Sequence, residues 1–371
     1  MASAYSSEQI DLYEEYISLP SRYRRRNNPA LTLDYLTSLH IHHISTIPYE
    51  NLLLHYSPDH SVSLDPQALF TKIITNARGR GGYCLEGSTF FNHVLRALGF
   101  QVYTAGVRIR RRSTHDGVPR GNYIGWFHIV NIVTLPNTHR YMIDVAFGGD
   151  GATKPLPLIS GHSIQNLGTQ EIRLVYEPIP QQIDQSKPLW IYQYRNGPEK
   201  EWNSSYAFNE HEFLPEDFEI MNYYVSTNMS ERNFQTKNVL IVAFVTGEDE
   251  HGKEKIVGKR MLINGDVKEN MGGKTRLVKV CESESERVEV FREFFGISLT
   301  DKEIGAIRGR IRSEDFAKRI YFYIGGSYHY LTGSLHMVDQ IGGQTGTVPK
   351  FKFEIMSNLT SPWNFLNTPD G

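Results

Sequence analysis

Three side chains of this 371-residue chain have the types needed to activate a sulfur nucleophile. Cys84 stands in "RGRGGYCLEGSTFF", behind glycines and arginines and at the start of a helical pattern. A structural cysteine is inert and sits inside an apolar run. Cys84 is placed differently. The partial positive charge of a helix N-terminus favours thiolate over thiol, and Arg78 and Arg80 precede the sulfur closely. Gly79, Gly81 and Gly82 remove side chains, so the backbone can fold sharply and a substrate can approach. A thiolate nucleophile needs a base, and the base needs a group to orient it. His128 lies among apolar neighbours in "WFHIVNIV", where an uncompensated imidazole is costly. Asp144 lies in "YMIDVAFG", and a charged aspartate between Ile143 and Val145 is rarely buried unless paired. Two antiparallel strands joined by "PNTHR" would bring the last two within reach of each other. Cys84, His128 and Asp144 then follow the logic of a Cys–His–Asp triad. Taken singly, each has a plain structural reading: an inert thiol, a satisfied interior histidine, a turn or strand-pairing carboxylate. Geometry rather than chain order makes a triad, so these residues alone lead to a thiol enzyme and no further.

The elements that must position them follow from periodicity. "SSEQIDLYEEYISL" reads as a helix capped by Ser6 or Ser7, with Ile10, Tyr13 and Ile17 on one face. "ALTLDYLTSLHIHHIS" is a second helix, ending before "IPYENLLL", where Pro48 imposes an extended turn. "DPQALFTKIITN" starts with Asp65 as cap and Pro66 in the first turn, and "CLEGSTFFNHVLRALGF" closes at Gly99. From Gln101 the period becomes that of strands: "QVYTAGVRIR", "WFHIVNIVTL", "HRYMIDVAFG", "EIRLVYEP" and "LWIYQYRN". "LPEDFEIMNYYVST" reads as a short helix or ordered crossover. Strands "NVLIVAFVTG", "GKRMLING" and "KTRLVKVC" come next, then helices in "SERVEVFREFFGI" and "DKEIGAIRGRI". Beyond about residue 313 the signals are few. The coarse order is helical, then all-β, then mixed.

Bulk composition narrows the function classes. The length predicts two or three domains. Hydrophobic residues at 40% and charged residues at 22% fit a soluble globular protein. A formal net charge of −2 gives no electrostatic case for nucleic acid. No apolar run approaches the roughly 18–20 residues that span a bilayer, so no membrane partner is expected. The opening "MASAYSSEQIDLYEEY" lacks the pattern of a signal peptide. Cys84 and Cys281 make neither a disulfide framework nor a zinc spacing, so no metal is expected. A cytoplasmic location is expected, and the sequons "NSS", "NMS" and "NLT" then carry little weight. No glycine-rich phosphate loop supports nucleotide hydrolysis.

At its chemical residues the chain resembles the arylamine N-acetyltransferase family. That family carries Arg-Gly-Gly-x-Cys-x-Glu, matched by Arg80, Gly81, Gly82, Cys84 and Glu86. Its upstream Pro-(Phe/Tyr)-Glu-Asn-Leu motif is matched by "PYENL" from Pro48 to Leu52. Its Gly-x-x-His context is matched from Gly125 to His128, and its Asp-x-(Gly/Ala)-Phe-Gly by "DVAFG" from Asp144 to Gly148. "PLPLISG" and "NYYVSTNMSERNF" come later, in family order. The resemblance implies an α+β fold with a cysteine-protease-like core: a helical bundle over residues 1–101, an antiparallel β-barrel over 102–225, and an α/β lid with a C-terminal extension over 226–371. It implies a ping-pong N-acyltransferase with acetyl-coenzyme A or another short acyl-coenzyme A as co-substrate. The acyl group would pass through a thioester on Cys84 to an arylamine or arylhydrazine, with His128 and Asp144 completing the triad. Acetyl is the family's usual group, with propionyl and malonyl donors among relatives. Tyr49 and Phe147 resemble the family's cleft aromatics, and Gly125 a place where the coenzyme A chain passes. Ser226 and Thr227 fall where the family has small hydroxyl residues near the donor.

Each has a bland counterpart: core packing for Phe147, relief of crowding beside Trp126 for Gly125, capping for Ser226 and Thr227. Arg80 and Glu50 are candidates for a buried ion pair. Glu86 is a candidate partner for backbone donors in the first helical turn. The run Arg108, Arg110, Arg111 and Arg112 reads as a solvated face or as a contact for phosphates or an acidic acyl group. Ser88 departs from the asparagine frequent in the family, and the tail is not aligned. A thiol hydrolase or transglutaminase-like enzyme would use the same three groups, and a binding protein could retain the fold without the reaction.

Overall fold

A computed structural model describes residues 2–113, 117–230 and 233–307, together with the backbone of two short strands beyond them. The chain divides into two units, Met1–Ile311 and Arg312–Gly371. In the second, Tyr321–Ile324 and Ser327–Tyr330 pair antiparallel. The rest of the tail past residue 313, and the end of the helix expected in "DKEIGAIRGRI", lie outside the described residues. Every other described element belongs to the first unit.

The N-terminal helices of that unit start where side chains satisfy free amide groups. Ser6 and Gln9 form a reciprocal capping box for Ser7–Tyr16, which buries Ile10 and Tyr13. Thr32 accepts from the Tyr35 N–H at 3.3 Å and opens Leu33–Thr46. Asp65 accepts from the Ala68 N–H at 2.8 Å and opens Pro66–Phe70, which widens into a π-turn over Thr71–Thr75. Cys84–Ala97 ends before Gly99, whose φ of +89° reverses the chain at its close. Phe90, Phe91, Val94 and Leu95 on that helix are fully buried. Each such side chain contributes about 1.5–3 kcal/mol, so packing rather than propensity holds the helix.

Eight strands then form one antiparallel sheet. Across it run Leu156–Pro157, Arg140–Ile143, Pro119–Thr134, Gln101–Arg112, Asn203–Phe208, Leu189–Arg195, Glu171–Glu177 and Ser163–Gln165. The segment 158–161 bonds to Arg140 on one side and Leu174 on the other, drawing the sheet into a nearly closed barrel. Strand alternation puts Val107, Val130, Leu174, Tyr192, Tyr206 and Phe208 in the interior core. On the outer face Ile191 and Ala207 pack with Tyr123.

After the barrel, the helix Pro215–Thr227 leads to a five-stranded sheet. Its order is Tyr49–Glu50, Leu240–Glu248, Glu254–Ile263, Asp266–Asn270 and Arg276–Val280. The edge strand comes from "PYENL", with Tyr49 opposite Val242. Sequence reasoning made that segment an extended turn; its backbone is extended because a partner strand pairs with it. The helices Glu284–Phe295 and Asp301–Ala306 complete the unit. The architecture is the expected α+β one of helical bundle, antiparallel barrel and α/β lid. Among the described residues no helix is long and apolar enough to cross a membrane.

Candidate active site

Cys84 is the first residue of its helix and is 5% exposed. The loop before it is shaped by the "PYENL" segment. The Glu50 N–H donates to the Gly82 carbonyl at 3.0 Å, and the Gly82 N–H to the Pro48 carbonyl at 3.4 Å. A Cβ at Gly81 would lie 1.8 Å from the Pro48 oxygen, and one at Gly82 2.6 Å from the Glu86 Cβ. At Gly81 and Gly82 the room is taken by the protein's own main and side chains, and the sharp fold expected of the segment is made at Gly79, whose φ is +68°.

The arginines ahead of the cysteine also have partners. Arg80 grips Glu50 through Nε–Oε1 at 3.0 Å and Nη2–Oε2 at 3.4 Å, and gives Nη1 to Glu303 at 2.8 Å. Arg78 meets the same Glu303 at 2.5 Å. Lys72 lies 2.7 Å from Glu86 and 3.4 Å from Glu50. Burial pushes the Glu50 carboxyl up, but Arg80 and Lys72 overcome this and hold it down at about 2. Glu86 is held above its ordinary value by burial against the pull of Lys72. It accepts from the Tyr83 N–H at 3.1 Å, the backbone role expected of it. Arg78 and Arg80 therefore serve to build the loop, their charges matched by carboxylates before they reach the sulfur.

His128 sits inside the barrel, paired with Val107, where a bulge interrupts the register between Val107 and Arg108. Its ring packs against those of Phe147, at 5.2 Å, and Tyr206, at 5.7 Å. Nε2 meets Asp144 Oδ2 at 2.8 Å. Asp144 follows the strand Arg140–Ile143 by one residue, and its Oδ1 accepts from the Ala146 N–H at 3.2 Å. The chain thus leaves the strand before the carboxylate, which turns back to the ring from a bend. Cys84 stands close enough to the imidazole to help hold it protonated. With Nε2 committed to Asp144, Nδ1 is the nitrogen left for sulfur. The sulfur also lies 3.9 Å from the Phe127 carbonyl oxygen. Burial alone would strip the proton from His128; the charge and hydrogen bond of Asp144, followed by Cys84, hold its value up at about 10.

Bundle and barrel meet along the cysteine helix. A Cβ at Gly87 would come 3.0 Å from that of Ala146, so the missing side chain lets the helix lie against the Asp144 bend. Asn131 Nδ2 donates to the Ser88 carbonyl at 3.1 Å, and Asn92 Nδ2 to Asn131 Oδ1 at 2.8 Å. The Ser88 hydroxyl donates to the Ile129 carbonyl at 3.5 Å, so the departure at Ser88 still bonds across the joint.

Sequence reasoning missed Tyr206. This buried phenol donates to the Met142 sulfur at 3.6 Å and packs against the His128 ring; burial first, then the charge of Asp144, holds it far above its ordinary value. The only signal was alternation of aromatics in "SYAF", too short to stand out. It also missed Glu303, some 220 residues from the loop it binds.

Of the other expected residues, Tyr49 stands near Cys84: burial, then the sulfur's charge, raises its phenol, whose oxygen accepts from Gln235 Nε2 at 2.6 Å. Phe147 touches the His128 ring. Gly125 is exposed, with open space where a Cβ would be. Ser226 and Thr227 spend their hydroxyls on their own helix, donating to the Asn222 carbonyl at 2.7 Å and the Tyr223 carbonyl at 2.5 Å. Arg108 stacks over Trp126 at 4.0 Å, and Arg112 pairs with Asp150 at 2.7 Å. A cleft of about 380 Å³ lined by Arg108, Tyr123, Trp126 and Leu189 includes none of Cys84, His128 and Asp144. Cys281 is buried, which pushes its thiol up to about 11. Among the described residues no group of three His, Cys, Asp or Glu is placed to hold a metal ion.

A family model described as N-acetyltransferase matches residues 32–304. The N-malonyltransferase FDB2 of Fusarium pseudograminearum is 35% identical over 321 residues, covering 81% of this chain and 91% of that protein. The arylamine N-acetyltransferase of Mycobacterium tuberculosis is 29% identical over 294 residues, covering 78% and 91%. Among solved structures, the arylamine N-acetyltransferase from Mycobacterium abscessus superposes with a TM-score of 0.66 at 22% identity, over 84% of this chain and 95% of that one.

Proposed function

The chain belongs to the N-acetyltransferase family, and on that premise we propose that it moves a short acyl group from coenzyme A to an aromatic amine or hydrazine through a thioester on Cys84. The observation that carries the reading is the buried His128–Asp144 pair at 2.8 Å, with Cys84 close enough to the same ring to raise its affinity for a proton. Cys84 passes its proton to His128, and Asp144 stabilises the imidazolium that results. The sulfur attacks the donor carbonyl; the bond to the coenzyme A sulfur breaks, and the departing thiolate takes the proton. One thioester replaces another, so this half is close to isoenergetic. The neutral amine then attacks the acyl carbon, His128 accepts its proton, and Cys84 leaves and is protonated again. Amide formation drives that half downhill. Tyr49 and Phe147 border the acceptor, and the open space at Gly125 admits the donor chain.

Malonyl is the donor of choice in this reading. A relative named N-malonyltransferase is 35% identical to the chain, against 29% for one named arylamine N-acetyltransferase. The test offers malonyl-, propionyl- and acetyl-coenzyme A with one arylamine. Free coenzyme A is measured with and without the amine, and adducts are located by mass spectrometry. Malonyl-coenzyme A should react fastest, its release of coenzyme A should depend on the amine, and one adduct should form on Cys84 and vanish in Cys84→Ala. An adduct on Cys281 would overturn the mechanism. Release that ignores the amine would mean a thiol hydrolase, and faster acetyl transfer would overturn the donor alone.

A further inference from the structure

We propose that the last described helix, Asp301–Ala306, acts on the nucleophile at a distance, with Glu303 as a positioning residue for the loop that presents Cys84. The inference rests on the reading of Cys84 as nucleophile, but its observations are separate. Arg80 is 1% exposed, and Glu50 takes only its Nε and Nη2. Nη1 is left to Glu303 Oε1 at 2.8 Å. The other oxygen of that carboxylate meets Arg78 Nη1 at 2.5 Å. One carboxylate therefore ties the two arginines on either side of Gly79.

The main chain repeats the contact. The Ser298 N–H donates to the Arg78 carbonyl at 2.9 Å. Gly79 has a φ of +68°, and a Cβ there would lie 2.2 Å from the Gly296 oxygen. Segment 296–303 thus seats directly on the loop from one side, while Pro48 and Glu50 hold Gly81 and Gly82 from the other. Cys84 begins its helix two residues after the second clamp. Neutralising Glu303 leaves Arg80 with one carboxylate in a place water does not reach, and a buried charge with an incomplete partner set is costly. The loop must shift to rehydrate it, and the clamp at Pro48 and Glu50 turns that shift into a displacement of Cys84 from His128. A misplacement of about 1 Å slows a reaction by up to about a hundredfold.

Glu303 also closes its own helix's capping box, accepting from the Thr300 N–H at 2.7 Å. Glu303→Gln keeps a neutral acceptor for that bond and removes the charge. Ser283→Ala is the control. Ser283 caps the preceding helix through the Glu286 N–H and touches neither arginine. Its loss costs about 1 kcal/mol of stability. Both variants of the full chain are compared with the original by urea midpoint, by alkylation of Cys84 with iodoacetamide at pH 7, and by single-turnover acylation with malonyl-coenzyme A. In Glu303→Gln, alkylation and acylation should both slow by about ten- to a hundredfold, with the KM for the donor within about twofold, because attack geometry and not donor binding has changed. Ser283→Ala should react at the original rate despite its lower midpoint. The proposal is overturned if Glu303→Gln reacts at the original rate, or if both variants slow in proportion to lost stability. Alkylation needs no donor, so an original chain that alkylates rapidly but never acylates would sink the acyl-transfer reading and leave this one standing.

Discussion

A histidine buried in a protein interior ordinarily sheds its proton, since burial penalises the charged ring. His40 and His43 behave this way, held down by burial at about 4 and about 3. His128 is equally buried and goes the other way, to about 10. The difference is chiefly the directly bonded carboxylate at 2.8 Å, to which Cys84 adds. Asp144 in turn is held by the Ala146 amide. Removing the charge in Asp144→Asn leaves His128 with a neutral partner. A hydrogen bond to a charged group is worth about 1.5–3 kcal/mol, so acyl transfer should fall about ten- to a hundredfold with the fold retained. Single-turnover release of coenzyme A measures this. An unchanged rate would mean that Asp144 only fills space.

Among elements, the decisive joints are glycines that the chain itself requires and one that it does not. Gly81 lies against the Pro48 carbonyl with no room for a methyl group. Gly81→Ala should cost about 1–3 kcal/mol in a urea titration and slow iodoacetamide at Cys84, because the loop and the edge strand are one joint. Gly125 has neither a neighbour within reach of a Cβ nor a positive φ. Gly125→Ala should leave stability within about 0.5 kcal/mol and raise the KM for the acyl donor. If stability falls instead, the glycine belongs to the strand's own bend and the donor path lies elsewhere.

For the whole molecule, the charge on His128 links stability to pH. Its folded value lies above its unfolded one, so the stabilisation is fully present below about pH 6.5 and is lost as pH rises towards about 10. Between pH 6.5 and 9, stability should fall by at most about 1.4 kcal/mol per pH unit, the slope of one proton. Above that window Cys281, raised to about 11, adds a loss of the same sign. In Asp144→Asn the decline between pH 6.5 and 9 should vanish. Urea midpoints across that range check it, and a decline that persists in the variant would place its source outside the His128–Asp144 pair.

The local chemistry of this protein was written in its sequence. A cysteine at a helix start, a histidine in an apolar strand, an aspartate flanked by Ile143 and Val145, and the caps at Ser6 and Asp65 all act through neighbours a few residues away, and periodicity exposes such neighbours. The change from helical to strand pattern near Gln101 likewise follows from local alternation. What only the tertiary structure decided are the contacts between distant segments. The Arg80–Glu50 pair is a candidate from the sequence, but Arg80 still reads as a charge near the sulfur until Glu303 is seen to complete its partners. Gly81 reads as room for a substrate until the Pro48 carbonyl is found there, and Tyr206 has no meaning until the barrel curls it against the His128 ring. Electrostatic energy depends on separation in space and on burial, and neither is a function of separation along the chain.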